Sequence, residues 1–127
     1  MVYSPLVMQH FQHPCGVGVL DIQQDNVVWA QAGTHEQGAL VHVYLQWSAQ
    51  NTIEQARFKA YGCPCTIAAV SCLVSQLTGL DVAQAKALSA GNWAAALQLP
   101  PIKLHCAMLA KEAVTTALQR WQNKQQD

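Results

Sequence analysis

Cys63 stands where a helix is expected to begin, and thiol chemistry is the first function that this position indicates. It lies between Gly62 and Pro64. Because proline favours the first helical position, Cys63 is predicted to be the residue that caps the helix. Free backbone N–H groups and the helix dipole at that end favour a thiolate over a thiol. A thiolate is both a metal ligand and a nucleophile, so the sequence predicts a functional thiol here.

A second candidate, the pair His105-Cys106, follows the break at Leu99-Pro100-Pro101 and opens the last predicted helix. An imidazole beside a thiol supplies either a metal ligand or a base that lowers the pKa of the thiol. Taken alone, the histidine also fits a partly buried side chain bonded to a carbonyl. Since both cysteines stand at helix starts next to strand ends, we expect Cys63, His105 and Cys106 to converge at one end of the molecule.

Three further residues are candidate ligands of the same site. Cys65 follows Cys63 by two residues, but two residues of helix turn a side chain to the far side, so packing is an equally good interpretation. His35 and Glu36 lie in a loop between two predicted strands, where a solvated loop is the simpler interpretation. Cys72, further along the same helix as Cys65, is interpreted as a core residue.

The composition limits the class of partner. The 127 residues carry seven basic and seven acidic side chains, so the formal net charge is zero. A protein that binds nucleic acids or anionic membranes needs a basic face, so neither is expected as a partner. No stretch approaches the ~20 apolar residues of a membrane span, and no secretory signal is recognisable, so a cytoplasmic location is expected. Five cysteines without a secretion signal favour metal binding, catalysis or packing over a disulfide framework.

The predicted elements are strands followed by helices. Strands are predicted over residues 17–21, 27–32 and 40–48, with residues 52–61 either a fourth strand or a cap on the sheet. Helices are predicted over residues 2–11, from Pro64 to Gly79, after Asp81 and, after the proline break, up to a polar tail over residues 122–127. This order predicts an α+β fold, a three- or four-stranded antiparallel sheet with helices on one face. One domain over residues 1–127 is expected.

Five segments, taken in order, resemble IscU/NifU-type iron–sulfur cluster assembly scaffold proteins. They are Val2-Tyr3-Ser4, His10 to Pro14, Ala56-Arg57-Phe58-Lys59-Ala60-Tyr61-Gly62-Cys63, Ile67-Ala68 and Leu99-Pro100-Pro101-Ile102-Lys103-Leu104-His105-Cys106. The resemblance implies a SufE/NifU-like scaffold that is not an enzyme. Such a scaffold receives sulfur from a cysteine desulfurase and iron from a donor, assembles a 2Fe-2S cluster and passes it to apo iron–sulfur client proteins.

The same resemblance implies a site of three cysteines, a histidine beside the last cysteine and an aspartate near the first. Cys63, His105 and Cys106 match three of these positions. Alignment on the glycines of the 33–38 loop puts Gln37 at the position of the first cysteine and Ala39 at that of the aspartate. This chain therefore departs from the family at two ligand positions.

The resemblance also implies a chaperone partner. Leu99 to Lys103 is similar to the segment by which the family binds a DnaK-type chaperone and its co-chaperone. Because two prolines hold the chain open, the segment is predicted to be exposed and extended.

Three functions are compatible with these residues. The leading interpretation is a scaffold or carrier that holds a 2Fe-2S cluster, or its iron, through Cys63, His105 and Cys106. The alternative is a zinc-binding structural or regulatory protein of the same fold, because zinc accepts mixed cysteine, histidine and carboxylate ligands. A thiol enzyme with Cys63 as nucleophile and His105 as base is least favoured, since no oxyanion signature is recognisable.

A fourth ligand must replace the missing cysteine in either metal-binding interpretation. Gln37 is a poor ligand for a soft metal, because its amide is neutral and hard. Cys65 is favoured for a cluster, and His35 or Glu36 for zinc.

Overall fold

Two consecutive β-hairpins form the sheet on which the helices pack. The computed structural model describes residues 3–88 and 90–125. Its elements are α1 (Pro5–Gln12), β1 (Val27–Thr34), β2 (Ala39–Trp47), β3 (Ile53–Tyr61), α2 (Pro64–Val74), α3 (Val82–Lys86), α4 (Ala90–Ala96), a 3₁₀ turn (Pro101–Lys103) and α5 (Leu104–Gln125). The predicted α+β class is confirmed. Within the described ranges, no helix is long and apolar enough to cross a membrane.

Alternation along the central strand separates the two faces of the sheet. The strand order is β1-β2-β3 and both pairings are antiparallel. On β2, Val41, Val43, Leu45 and Trp47 are buried, whereas the residues between them are only half-buried. Because successive strand side chains point to opposite faces, one face is apolar and receives the helices. Helix α5 crosses β1 and β2, and α2 packs between β3 and α5.

The turn between β1 and β2 is held by two glycines. Gly33 and Gly38 have φ values of 79° and 85°, in the region that glycine adopts most readily. Inside the turn, the amide of Gln37 donates to the Thr34 carbonyl at 3.2 Å, and the amide of Gly38 donates to the His35 carbonyl at 3.0 Å. This turn fixes the start of β2.

The junction between β3 and α2 is a tight reversal that depends on Gly62. Its φ is 154°, and a Cβ added there would lie 3.0–3.2 Å from the side chain of Thr66. The next residue, Cys63, has extended backbone angles and is the N-cap of α2, with Pro64 in the first turn. The predicted cap is confirmed, and it places the thiol at the end of the sheet.

The predicted strand over residues 17–21 is wrong. Only Val17 bridges to the sheet, opposite Phe58. Gly18 donates to the Phe58 carbonyl at 2.9 Å, and Phe58 donates to the Gly16 carbonyl at 2.8 Å. Both glycines have positive φ values, so the chain turns away after one residue of pairing. Residues 53–61 do join the sheet, which therefore has three strands in the described part of the chain.

Three helix limits differ from the prediction, and one helix was not predicted. Helix α1 begins at Pro5, capped by Ser4, while residues 1–2 lie outside the described residues. Helix α2 ends at Val74, and turns continue to Gly79. Helix α4 was not predicted, because its alanine-rich sequence has no apolar period. Helix α5 includes residues 122–125 of the predicted tail.

The C-terminal extension of α5 has a physical cause in the contacts of its last turns. Trp121 stacks on Trp47 with ring centroids 5.0 Å apart, and its Nε1 donates to Asn51 at 2.8 Å. Gln125 donates to the same amide oxygen at 2.6 Å. These contacts anchor the helix to the turn between β2 and β3.

The predicted exposed, extended segment from Leu99 to Lys103 is only partly correct. Leu99 is buried in the core, because its amide donates to the Ala94 carbonyl and folds the chain back against α4. Pro100 is extended, but the next three residues form the 3₁₀ turn, closed by a 2.8 Å bond from the Lys103 amide to the Pro100 carbonyl. Ile102, at 71% exposure, is the large apolar side chain that the segment exposes.

Replacing Gly33 with alanine should destabilise the protein more than the matched change Gly38→Ala. Both residues have positive φ, which costs an alanine roughly 1–2 kcal/mol. At Gly33 the new Cβ would also lie 2.2 Å from the Ala39 carbonyl oxygen, whereas nothing lies within 4 Å at Gly38. We expect Gly33→Ala to lose a further 1–3 kcal/mol, roughly the cost of overpacking. Urea unfolding measures both, and equal losses would contradict this turn geometry.

Candidate thiol site

The two candidate cysteines meet at the end of the sheet. Cys63 caps α2, and Cys106 lies in the first turn of α5. Their sulfur atoms are 4.0 Å apart. Cys63 is half-buried, whereas Cys106 is fully buried. The structure thus brings together two thiols that are 43 residues apart in sequence, one of them open to solvent.

The hydroxyl of Thr66 contacts both sulfurs. This residue of α2 is 1% exposed. Its hydroxyl donates to Cys106 Sγ at 3.4 Å and also lies 3.6 Å from Cys63 Sγ. A hydroxyl has one proton, so it donates to one sulfur at a time. Thr66 therefore holds the two thiols in a common hydrogen-bonded cluster. Sequence reasoning missed it, although its position three residues after Cys63 is the helical spacing that permits the contact.

Lys103 supplies a positive charge to Cys63. Its ammonium group donates to Cys63 Sγ at 3.5 Å. Burial alone would raise the pKa of the Cys63 thiol. Hydrogen bonds from the side chain and backbone of Thr66 and from the backbone of Cys65, together with the charge of Lys103, instead lower that pKa to about 7. Cys63 is consequently thiolate to a substantial extent near neutral pH.

The pKa of the Cys106 thiol is shifted in the opposite direction, upwards. Burial raises the pKa of its thiol, the hydrogen bond from Thr66 lowers it, and the nearby Cys63 thiolate raises it further. His105 Nε2 lies 3.6 Å from Cys106 Sγ on the solvent side of the helix start. The cluster therefore combines a half-buried thiolate, a buried neutral thiol and an imidazole.

A cavity of about 660 Å³ opens beside Cys63. Its polar and charged lining includes Gln37, Cys63, Thr66, Lys103, His105 and Glu112. Ala39 also lines it. The two positions that the resemblance assigns to a missing cysteine and a missing aspartate therefore face the same cavity as Cys63.

Glu112 is a cavity residue that sequence reasoning missed. It lies on α5, seven residues after His105, and two helical turns put both side chains on one face. That spacing was the available signal. Its carboxylate is the acidic group on the cavity wall, since Ala39 carries none.

Cys65 points into the core rather than into the cavity. It is fully buried in the first turn of α2. Burial, followed by the neighbouring charges of Cys63 and Cys106, raises the pKa of its thiol to about 11. It is close to the other two thiols but has no access to solvent.

His35 and Glu36 lie on the exposed β1–β2 turn, and neither lines the cavity. The His35 ring packs against Tyr61, with ring centroids 4.7 Å apart. Among residues 3–88 and 90–125, no three His, Cys, Asp or Glu side chains are grouped so that they could hold a metal ion. The structure offers adjacent pairs of donors instead: Cys63 with Cys106, and Cys106 with His105.

The rate at which iodoacetamide alkylates Cys63 in the metal-free protein should report the lowered pKa. The thiolate is the reactive form, so the rate should rise about tenfold per pH unit below pH 7 and level off above it. In Lys103→Met the levelling should move to higher pH, whereas Lys103→Arg keeps the charge and should resemble the parent. Mass spectrometry of the Cys63 peptide gives the rate. A rate that keeps rising steeply through pH 8.5 would contradict the assignment.

Comparison with protein families identifies the relatives of this fold. The family model described as the NifU-like N-terminal domain matches residues 2–127. The iron–sulfur cluster assembly scaffold protein IscU of Escherichia coli strain K12 is 32% identical over 126 residues, covering 99% of this chain and 98% of that protein. IscU of Azotobacter vinelandii is 33% identical over 124 residues, covering 98% of this chain and 97% of that protein.

Solved structures show the same fold. The N-terminal part of a NifU-like protein from Brucella abortus superimposes with a TM-score of 0.72 at 14% identity, over 95% of this chain and 94% of that one. A candidate iron–sulfur cluster assembly scaffold of the SUF system from Fervidobacterium islandicum AW-1 gives 0.73 at 16% identity, over 91% and 96%. With the family model matched over nearly the whole chain, this protein belongs to the NifU-like N-terminal domain family, and it has the fold of the family's scaffold proteins.

Proposed function

We propose that this protein is a scaffold or carrier that holds a 2Fe-2S cluster, or the iron from which it is built, through Cys63, Cys106 and His105. The observation that supports this most strongly is the 4.0 Å separation of the two sulfurs beside an open cavity. Two thiols and an imidazole are soft and intermediate donors of the type that iron–sulfur centres use. The curated relatives are named as iron–sulfur cluster assembly scaffolds.

The residues around the thiols have separate tasks in this proposal. Cys63 faces the cavity and receives incoming iron or sulfur, which are the cargo. Lys103 compensates the negative charge that thiolates and sulfide bring to the site. Thr66 lies within hydrogen-bond distance of both sulfurs, so it can donate to either one while cargo enters and leaves. Cys106 is the inner ligand, because its side chain is fully buried.

The fourth ligand is a further part of the proposal. Cys65 is the softest donor close to the pair, but it must leave the core, which requires the first turn of α2 to rearrange. His35 or Glu36 would serve a zinc ion after the β1–β2 turn folds towards the cavity. Zinc held in this way is the alternative function, and the mixed cysteine and histidine donors around the cavity favour it.

Partner proteins follow from the same proposal. A cysteine desulfurase would supply sulfur, and apo iron–sulfur client proteins would accept the cluster. A DnaK-type chaperone with its co-chaperone would bind the segment from Leu99 to Lys103. In the folded protein the chaperone can contact the exposed side chain of Ile102. Leu99 is buried, so contact with it requires the segment to detach from the core.

Anaerobic reconstitution with ferrous iron and sulfide should give a visible absorbance that depends on Cys63 and Cys106. Cys63→Ser and Cys106→Ser should each lose most of the bound iron. Cys72→Ser is the matched control, because Cys72 is a buried thiol of α2 outside the cluster. Cys65→Ser should lose retention if Cys65 is the fourth ligand, and a chelator should remove the parent's cluster readily.

Circular dichroism of each variant separates a lost ligand from a lost fold. Full cluster retention by a folded Cys106→Ser variant would contradict the proposed site. Retained zinc without visible absorbance, in the parent protein, would favour the zinc alternative.

A peptide covering Leu99 to Lys103 should compete with the protein for a DnaK-type chaperone. The Ile102→Asp peptide should compete at least tenfold less well, since a charge replaces the exposed apolar anchor. Fluorescence anisotropy of the labelled parent peptide measures both. Equal competition by the two peptides, or none by either, would rule out this recognition.

A further inference from the structure

The two thiols also have the arrangement of a redox-active pair. A disulfide requires sulfurs about 2.05 Å apart and a Cβ–S–S–Cβ dihedral angle of about 90° in either sense. The sulfurs of Cys63 and Cys106 are separated by 4.0 Å, so each needs to move by about 1 Å. Cys63 caps its helix and is only half-buried, which leaves its side chain room to rotate.

The different exposure of the two cysteines determines which of them reacts first. The 660 Å³ cavity admits a small molecule to Cys63, whereas Cys106 is fully buried behind it. A soluble disulfide can therefore reach Cys63 first. Lys103, 3.5 Å from the Cys63 sulfur, stabilises the negative charge that passes through this position. Formation of an intramolecular disulfide by exchange requires an accessible attacking thiol and a second thiol next to it. Cys63 and Cys106 meet these two requirements.

We propose that Cys63 and Cys106 exchange with small-molecule disulfides of the glutathione type and close an intramolecular disulfide. The Cys63 thiolate attacks one sulfur of the substrate, RSSR, which forms a Cys63–SR mixed disulfide and releases RS⁻. Cys106 then attacks the Cys63 sulfur and expels the second RS⁻. The protons of the two protein thiols leave with the products, so RSSR and two protein thiols give one protein disulfide and two RSH. The substrate is reduced by two electrons.

Closure of the disulfide excludes cargo. Both sulfurs that the proposed function uses as ligands are then bonded to each other, and neither is available as a thiolate. The exchange itself does not depend on the proposed function. It needs only the metal-free protein and a disulfide.

The test uses metal-free Cys15→Ser protein, because Cys15 is an exposed thiol that would form its own mixed disulfides. After incubation with oxidised glutathione, non-reducing peptide mapping with fragmentation should find Cys63 joined to Cys106. Cys106→Ser in the same background should stop at glutathione on Cys63. Cys65→Ser should leave the cross-link unchanged, because the sulfur that contacts Cys63 at 4.0 Å is that of Cys106.

Two outcomes would overturn the inference. One is stable glutathione on Cys63 with no cross-link in the protein that retains Cys106, and the other is a cross-link that joins Cys65 instead of Cys63. Circular dichroism of the variants excludes misfolding. Fragmentation identifies the two joined cysteines in the Cys15→Ser protein itself, in which Cys63 and Cys106 are both intact. Prior addition of zinc should slow the cross-link at least tenfold if both thiols bind metal. A cross-link unaffected by zinc would count against the proposed function alone.

Discussion

The packing of α5 against the sheet and α2 determines where the two thiols meet. Cys63 is fixed by the tight turn at Gly62, where any side chain would press on Thr66. Cys106 is fixed by the burial of α5, whose inner face is part of the core. The two sulfurs can meet only if the N-termini of α2 and α5 lie at the same edge of the sheet. The thiol cluster, the cavity and the proposed cargo site all depend on that arrangement.

Electrostatics gives the two thiols different characters although they are neighbours. Two thiolates 4.0 Å apart repel each other, so the proton stays on the sulfur that is more costly to ionise. Burial makes that sulfur Cys106, while hydrogen bonds and Lys103 favour the thiolate at Cys63. Metal binding would replace the proton of Cys106 by a cation, and disulfide formation would remove both charges. The same asymmetry therefore underlies both proposals.

The sequence predicts the parts of this site that depend on local chemistry. Gly62, Cys63 and Pro64 specify a helix cap by their own conformational preferences, and the structure has that cap. Lys103 and Glu112 were missed as site residues because their contribution depends on how the 3₁₀ turn and α5 sit against the sheet. The strand predicted over residues 17–21 was wrong for a local reason, because the conformations of Gly16 and Gly18 limit the pairing to a single bridge. Burial of Leu99 was missed because the unpredicted α4 provides its partner.

The sulfurs of Cys63 and Cys106, 4.0 Å apart, are close enough for both to bind a single metal ion, and the proposed cargo site depends on their binding together. Cadmium-113 NMR of the cadmium-loaded protein tests it directly, because scalar coupling passes only through a metal–sulfur bond. We expect a single cadmium resonance coupled to the β-protons of both Cys63 and Cys106. Coupling to one cysteine alone, or two resonances each coupled to a different cysteine, would contradict it.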